Sequence, residues 1–299
     1  MIAESASGQR RDDLVANAER LLYDAGALGP LADVRRRPSE RGVTSPIFIT
    51  TLGGFRVSRH GEPVDVATWG SRKARDLVKL LVARRGAPVL RDEVVEVLWP
   101  DDVDRSARRL SVLLSTVRHV LDPAKSHPPD HYVAADHDTM WLMRDHVDID
   151  VEMFINEAAA GRRRLAAGDT DGAAQILTDA AGRYLGAFCA DDPYVDWAAG
   201  LRELAKHTFV DTSFELARLA DAAGEHSEAI RNWLRILDVD PYDEDSHLGM
   251  VASLLAQRRH GAARQAYRVY CSRLGELDLD AAPFPEQPSN VGAAEPNVV

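Results

Sequence analysis

Between Ile47 and Trp69 apolar positions alternate with polar ones. IFITTLGGFRV, a turn at SRHGEP and then VDVATW predict two or three short strands. Downstream the apolar spacing becomes helical. Ser71–Arg85 has Ser71 as N-cap, a stripe of Ala74, Leu77, Val78 and Leu81, and Gly86 as its stop. A second helix near Arg91–Trp99 ends at Pro100. A third near Asp104–Leu121 aligns Ala107, Leu110, Leu114, Val117 and Leu121 before Asp122-Pro123. After the loop SHPPDH, the segment HYVAADHDTMWLM predicts a β-hairpin turning at Asp136-His137-Asp138.

From Val147 the pattern is helical and alanine-rich. GEHSEAIRNWLRIL starts at Gly224 and RRHGAARQAYRVYC at Arg258, an offset of 34 residues that aligns Ala229 with Ala263 and Trp233 with Tyr267. That period, with small residues where helices cross, is the mark of tetratricopeptide-like repeats. Residues 168–185 are a third, weaker copy. Trp197, Trp233 and Tyr267 are candidates for an aromatic peptide site, but in helical repeats such residues belong more often to the core. At the N-terminus Leu14, Ala18, Leu21 and Leu22 share one helical face ahead of a Gly-, Pro- and Arg-rich linker. The expected division is therefore an extension at 1–45, a strand, three-helix and hairpin domain at 46–146, a helical domain at 147–283 and a disordered tail at 284–299. The expected fold class is an α+β winged helix-turn-helix followed by an all-α tetratricopeptide-like repeat domain.

Composition narrows the function. With 299 residues, 45% hydrophobic and 28% charged, the chain is long enough for two globular domains. It contains no apolar run of the roughly 18–20 residues that a membrane helix needs and no apolar signal core. Cys189 and Cys271 form neither CxxC nor a zinc spacing, so a reducing cytoplasm is the expected location. P-loop, GxGxxG, GxSxG and HExxH patterns are missing, so neither an enzyme nor a cofactor is expected. His127, His131, His137 and His146 lie among aspartates, but Pro128 and Pro129 keep the first two off a common helix face. A loop or wing surface is preferred there to a metal site. The pairs Asp101-Asp102 and Asp191-Asp192 read as helix-start caps.

Charge separates the two halves. Residues 46–145 hold 15 Lys+Arg against 14 Asp+Glu, whereas residues 146–285 hold 14 against 24. The first half can approach a polyanion that the second repels. Within the third helix Arg105, Arg108, Arg109 and Arg118 occur without a single acid through Leu121. Opposite its apolar stripe stand Arg108, Ser111, Val112, Ser115, Thr116, Arg118 and His119. Arginine binds phosphate or a guanine edge, hydroxyls bind phosphate, and Val112 suits a thymine methyl. In a winged helix this third helix enters the major groove while the hairpin meets the flank.

These segments, LGGFRV through EVLWPD, ARRLSVLLSTVRHVLDP and HYVAADHDTMWLM, resemble the OmpR-type DNA-binding domain of Streptomyces antibiotic regulatory proteins. VDIDVEMF, WAAGLRELAKHTFVDTSFELARLADAAGEHSEAI and DPYDEDSHLGMVASLLAQRRHGAARQAYRVYCSRL are similar to the family's bacterial transcriptional activation domain. The resemblance implies a transcription regulator that binds direct repeats of double-stranded DNA as a homodimer and recruits RNA polymerase through its sigma factor. It assigns Arg105, Arg108, Arg109, Ser115, Arg118 and His119 to the recognition helix, and Arg72 and Lys73 to the first helix. The chain departs from the family at Leu113, commonly polar, at Thr116, commonly arginine, and at Asp136 and Asp138, where the wing tip often has glycine. Two acids at that tip are expected to repel phosphate. The competing expectation is a protein-interaction scaffold whose winged helix no longer reads DNA.

Overall fold

The computed structural model describes residues 45–101 and 106–285. The short amphipathic pattern before residue 45, Arg105 and most of the expected tail lie outside them. Packing divides the described chain within one long helix, after Phe209.

The first unit opens with a four-stranded sheet in the order Glu62–Pro63, Arg56–Arg59, Ile47–Thr50, Asp148–Ile149. Strands β1 (Ile47–Thr50), β2 (Arg56–Arg59) and β3 (Glu62–Pro63) form an antiparallel meander. Val66–Trp69 winds as a 3-10 turn rather than a strand, because the Asp65 carboxylate accepts the Ala67 N–H at 2.8 Å. Three helices follow: α1 (Arg72–Ala83), α2 (Arg91–Leu98) and α3 (Ser106–Leu121). Ser71 caps α1 by accepting the Ala74 N–H, as the sequence predicts. The three pack through Leu77, Val78, Leu81, Val94, Leu98, Leu110, Leu114 and Val117, all buried. The hairpin is β5 (Val133–Ala135) and β6 (Thr139–Leu142); β4 (Val89–Leu90) pairs antiparallel on the far side of β6. This is a winged helix-turn-helix.

Packing continues through residue 147. β7 (Asp148–Ile149) pairs parallel with β1, with Phe48 opposite Asp148 and Ile49 opposite Ile149. At the start of α4 (Asp150–Ala166) the buried Asp150 carboxylate accepts from Thr51 N–H at 2.8 Å, Thr51 hydroxyl at 2.6 Å, Leu52 N–H at 2.9 Å and Val151 N–H at 2.7 Å. Burial pushes this carboxyl above its ordinary value, and the four donors oppose the shift. Glu152, also buried, is gripped by Arg85 at 2.8 Å and Arg144 at 2.9 Å. After α5 (Thr170–Arg183) a loop returns to the sheet, where Gly53 N–H donates to Ala187 O at 3.1 Å and Cys189 N–H to Thr51 O at 2.8 Å. Gly53 has φ +78, and a Cβ there would lie 2.7 Å from Leu185 O, so both conformation and space demand glycine.

The pair Asp191-Asp192 does not begin a helix, contrary to the capping reading. Asp191 accepts the Phe55 N–H at 3.0 Å, while buried Asp192 is ion-paired with Lys79 and Arg72 of α1. Lys79 is itself buried beside Asp76 at 3.2 Å, with its ammonium 5.3 Å from the Phe55 ring centroid. Arg202, on α6 (Ala199–Ala222), binds three carbonyls of the same loop, those of Phe188, Asp192 and Pro193.

The second unit starts at Val210 within α6 and continues as α7 (His226–Val239), α8 (Glu244–Ala256) and α9 (His260–Glu276). Ala229 and Ala263 are both fully buried where helices cross, as the 34-residue offset requires. Trp233 is core: its indole N–H reaches Ser253 Oγ at 3.3 Å and Phe214 packs edge-on. Cys189 is buried, and burial pushes its thiol up to about 12, so it is an inert core group.

Candidate nucleic-acid interface

The helix α3 turns one side inward, where Leu110, Leu113, Leu114, Val117, Val120 and Leu121 are buried. Leu113, the departure from the family's usual polar residue, is therefore a packing residue. The other side exposes Arg108, Arg109, Ser111, Val112, Ser115 and His119. Val112 is 63% exposed, an apolar group without core contacts on an otherwise polar face. No acid occurs between Ser106 and Leu121, and Arg118 and His119 sit in the last turn, where the helix dipole favours cations.

Several of the residues expected to contact DNA have internal partners. Thr116 is half-buried and returns its hydroxyl to Val112 O at 3.1 Å. Arg118 donates to Val133 O at 3.0 and 2.9 Å and pairs with Asp130, fastening α3 to the wing strand β5. Lys73 donates to Leu98 O and lies 5.2 Å from the Trp99 ring centroid, so it closes the end of α2. Arg72 pairs with Asp192 and keeps its side chain 69% exposed. Sequence reasoning missed Arg91. At the start of α2 it reaches Asp136 O at 3.2 Å and Ser111 Oγ at 3.5 Å, which places a further cation between α3 and the wing. Its position directly after β4, the third strand of the wing sheet, was the available signal.

The acids of the wing tip also change meaning. The Asp136 carboxylate accepts from Asp138 N–H at 2.9 Å, Thr139 N–H at 2.6 Å and the Thr139 hydroxyl at 3.0 Å. The backbone donors of Thr139 and then Asp138 hold its carboxyl below its ordinary value. Asp136 thus shapes the turn, whereas Asp138 remains exposed beside His137.

Arg118 offers a test that separates scaffold from contact. Arg118→Ala should lower stability by about 1–2 kcal/mol, because a charge-assisted tie between α3 and β5 is lost. Urea unfolding midpoints measure this. An unchanged midpoint together with lost DNA binding would make Arg118 a nucleic-acid contact instead.

Behind the wing, His131 stacks between His127 and His146, with ring centroids 4.0 and 3.9 Å apart, and Tyr132 meets it edge-on. Among the described residues no group of three His, Cys, Asp or Glu is placed to hold a metal ion. Burial, then the neighbouring His146 and His127, holds the His131 imidazole below its ordinary value. Such a histidine binds fewer protons folded than unfolded. Its stabilising effect is complete at neutral pH and drains away as pH falls through about 6.5. Buried His247 shifts the same way, through burial first, so it contributes to the same acid loss. His131→Gln should therefore show a smaller drop in urea midpoint from pH 7 to pH 5 than the parent chain. An equal drop would exclude His131 as a source of acid sensitivity.

Comparison with known proteins adds an independent line. Residues 66–135 match the family described as transcriptional regulatory protein, C terminal, and residues 149–286 match the bacterial transcriptional activator domain. The solved structure of Mycobacterium tuberculosis EmbR in complex with a low-affinity phosphopeptide is 24% identical, with a TM-score of 0.68. The alignment covers 80% of this chain and 62% of that one, so this chain spans under two thirds of its relative's length. No curated protein sequence matches the chain. Among the described residues no helix is long and apolar enough to cross a membrane. A winged helix with a one-signed α3 face, followed by helical repeats and matched by both domain families in that order, has the domain order of the Streptomyces antibiotic regulatory proteins and makes this chain a DNA-binding transcription regulator.

Proposed function

We propose that this regulator is a cytoplasmic activator that reads direct repeats of double-stranded DNA as a homodimer and recruits RNA polymerase through its sigma factor. The observation that carries the reading is the exposed, acid-free face of α3, which presents Arg108 and Arg109, with Arg91 beside the wing. Cations on such a face neutralise phosphates, and arginines within reach of base edges add sequence discrimination. Dimerisation follows from area, since one three-helix module covers too little DNA for tight specific binding alone. The division of labour follows from charge. Residues 146–285, with 24 acids against 14 bases, repel a polyanion and suit a protein partner.

The test is selection of bound sequences from random double-stranded DNA by the full chain, followed by in vitro transcription from a promoter carrying the selected site. Recovery of spaced direct repeats and a rise in transcript support the reading. Binding that is weak, unselective and abolished between 50 and 200 mM salt, roughly the range over which purely electrostatic contacts fail, favours the scaffold alternative. Selective binding with reduced transcript makes the protein a repressor.

A further inference from the structure

Past α9 the chain folds back onto the last helical pair. Asp278, at φ +55, turns it, and Leu279 N–H donates to Leu274 O at 3.0 Å. The segment Ala282–Phe284 then lies against α9. Tyr267 donates its hydroxyl to Ala282 O at 2.6 Å. Tyr270, fully buried, accepts the Ala282 N–H at 2.8 Å and gives its own proton to Glu244. The Phe284 ring meets Tyr267 edge-on at 5.1 Å and 90°, with the Arg264 guanidinium 5.0 Å from its centroid. Pro283 and Pro285 flank the ring. Phe284, expected in a structureless tail, is thus part of the helical core's edge.

A segment that only shielded an apolar helix end would need apolar packing alone. Here two side chains read both polar groups of one backbone residue, and an arginine and a tyrosine frame one aromatic ring. Neither Ala281 nor Ala282 offers a side chain that discriminates, so the selectivity lies in the aromatic ring and in the prolines that hold the backbone extended. Tyr270 is oriented by Glu244 from α8, which fixes its lone pair toward the incoming N–H.

We propose that Tyr267, Tyr270 and Arg264 form a peptide-binding site for an extended small-residue–Pro–aromatic segment of a partner protein, and that the chain's own Ala282–Phe284 occupies it in cis. A tethered segment acts at an effective concentration on the order of millimolar. A partner must therefore supply further contacts to displace it, and the site stays shut until such a partner arrives. This inference is independent of DNA reading, so its outcome leaves that reading untouched.

The probe is a labelled peptide of sequence LDAAPFP, followed by fluorescence anisotropy on the full chain. Phe284→Ala, which vacates the aromatic cleft, should bind it at least about ten-fold more tightly than the parent chain does. Adding Tyr267→Phe to that variant should weaken binding about ten-fold, since the hydroxyl is lost and the ring kept. Equal binding by the parent chain and Phe284→Ala, or indifference to Tyr267→Phe, overturns the proposal. A measurement that needs no variant is amide exchange of the parent chain in excess peptide. Faster exchange at Ala282 is the expected result, and unchanged protection at saturating peptide identifies the segment as a fixed end cap.

Discussion

Replacing Arg108 and Arg109 together with alanine should cost the full chain about 2–6 kcal/mol of specific DNA binding, roughly a 30-fold loss or more. Both side chains are exposed on α3, and the helix carries no acid to compete for them. The same pair lies away from the buried stripe, so the variant should still fold. Two outcomes divide the role further. Bidentate contact with guanine relaxes the selected sequence at one position. Phosphate contact weakens all sequences alike and lowers the salt slope by about one per arginine. A folded double variant that binds its selected site as well as the parent would show that α3 does not read DNA.

Asp150→Ala should be the most destabilising single change in the first unit, at about 3–5 kcal/mol. Truncation leaves the N–H groups of Thr51 and Leu52 and the Thr51 hydroxyl buried with no acceptor, at the seam where β1 meets α4. Asp150→Asn should cost less, because one oxygen remains to accept while its NH2 faces other donors. Urea unfolding of both variants checks the order. A loss under about 1 kcal/mol for the alanine variant would mean that water replaces the carboxylate, and that the seam is looser than its distances indicate.

The same seam governs which parts of the chain can be tested apart. A fragment ending at residue 146 loses β7, Asp150 and Asp192, which leaves Lys79 with Asp76 as its one remaining carboxylate partner of the two. Removing one partner of a buried pair is costly. Point variants in the full chain are therefore the sound way to assign roles.

Much of this molecule was legible in one dimension. Helix periodicity located α1, α2 and α3, Ser71 marked a start that its hydrogen bond confirms, and the turn residues Asp136-His137-Asp138 located the hairpin. The offset pairing Ala229 with Ala263 found the repeat, because helix crossings tolerate only small residues. The acid-free run through α3 found the candidate interface, since charge sign is a property of composition. What the linear pattern left open were partnerships between residues far apart in the chain. Arg118 looks like its neighbour cations until Val133 O and Asp130 engage it. Asp136 reads as repulsive until its lone pairs are spent on Thr139 and Asp138. Asp192 reads as a helix-start cap and Asp150 carries no signal of its own, yet burial next to Lys79 and Thr51 makes both structural. Phe284 sits in a proline-rich tail by composition and in an aromatic cleft by contact. Periodicity and local capping depend on neighbours within a few residues, so the sequence alone determined them. Burial, and the choice of which donor meets which acceptor, depend on chain segments brought together only by folding, and the tertiary structure decided those.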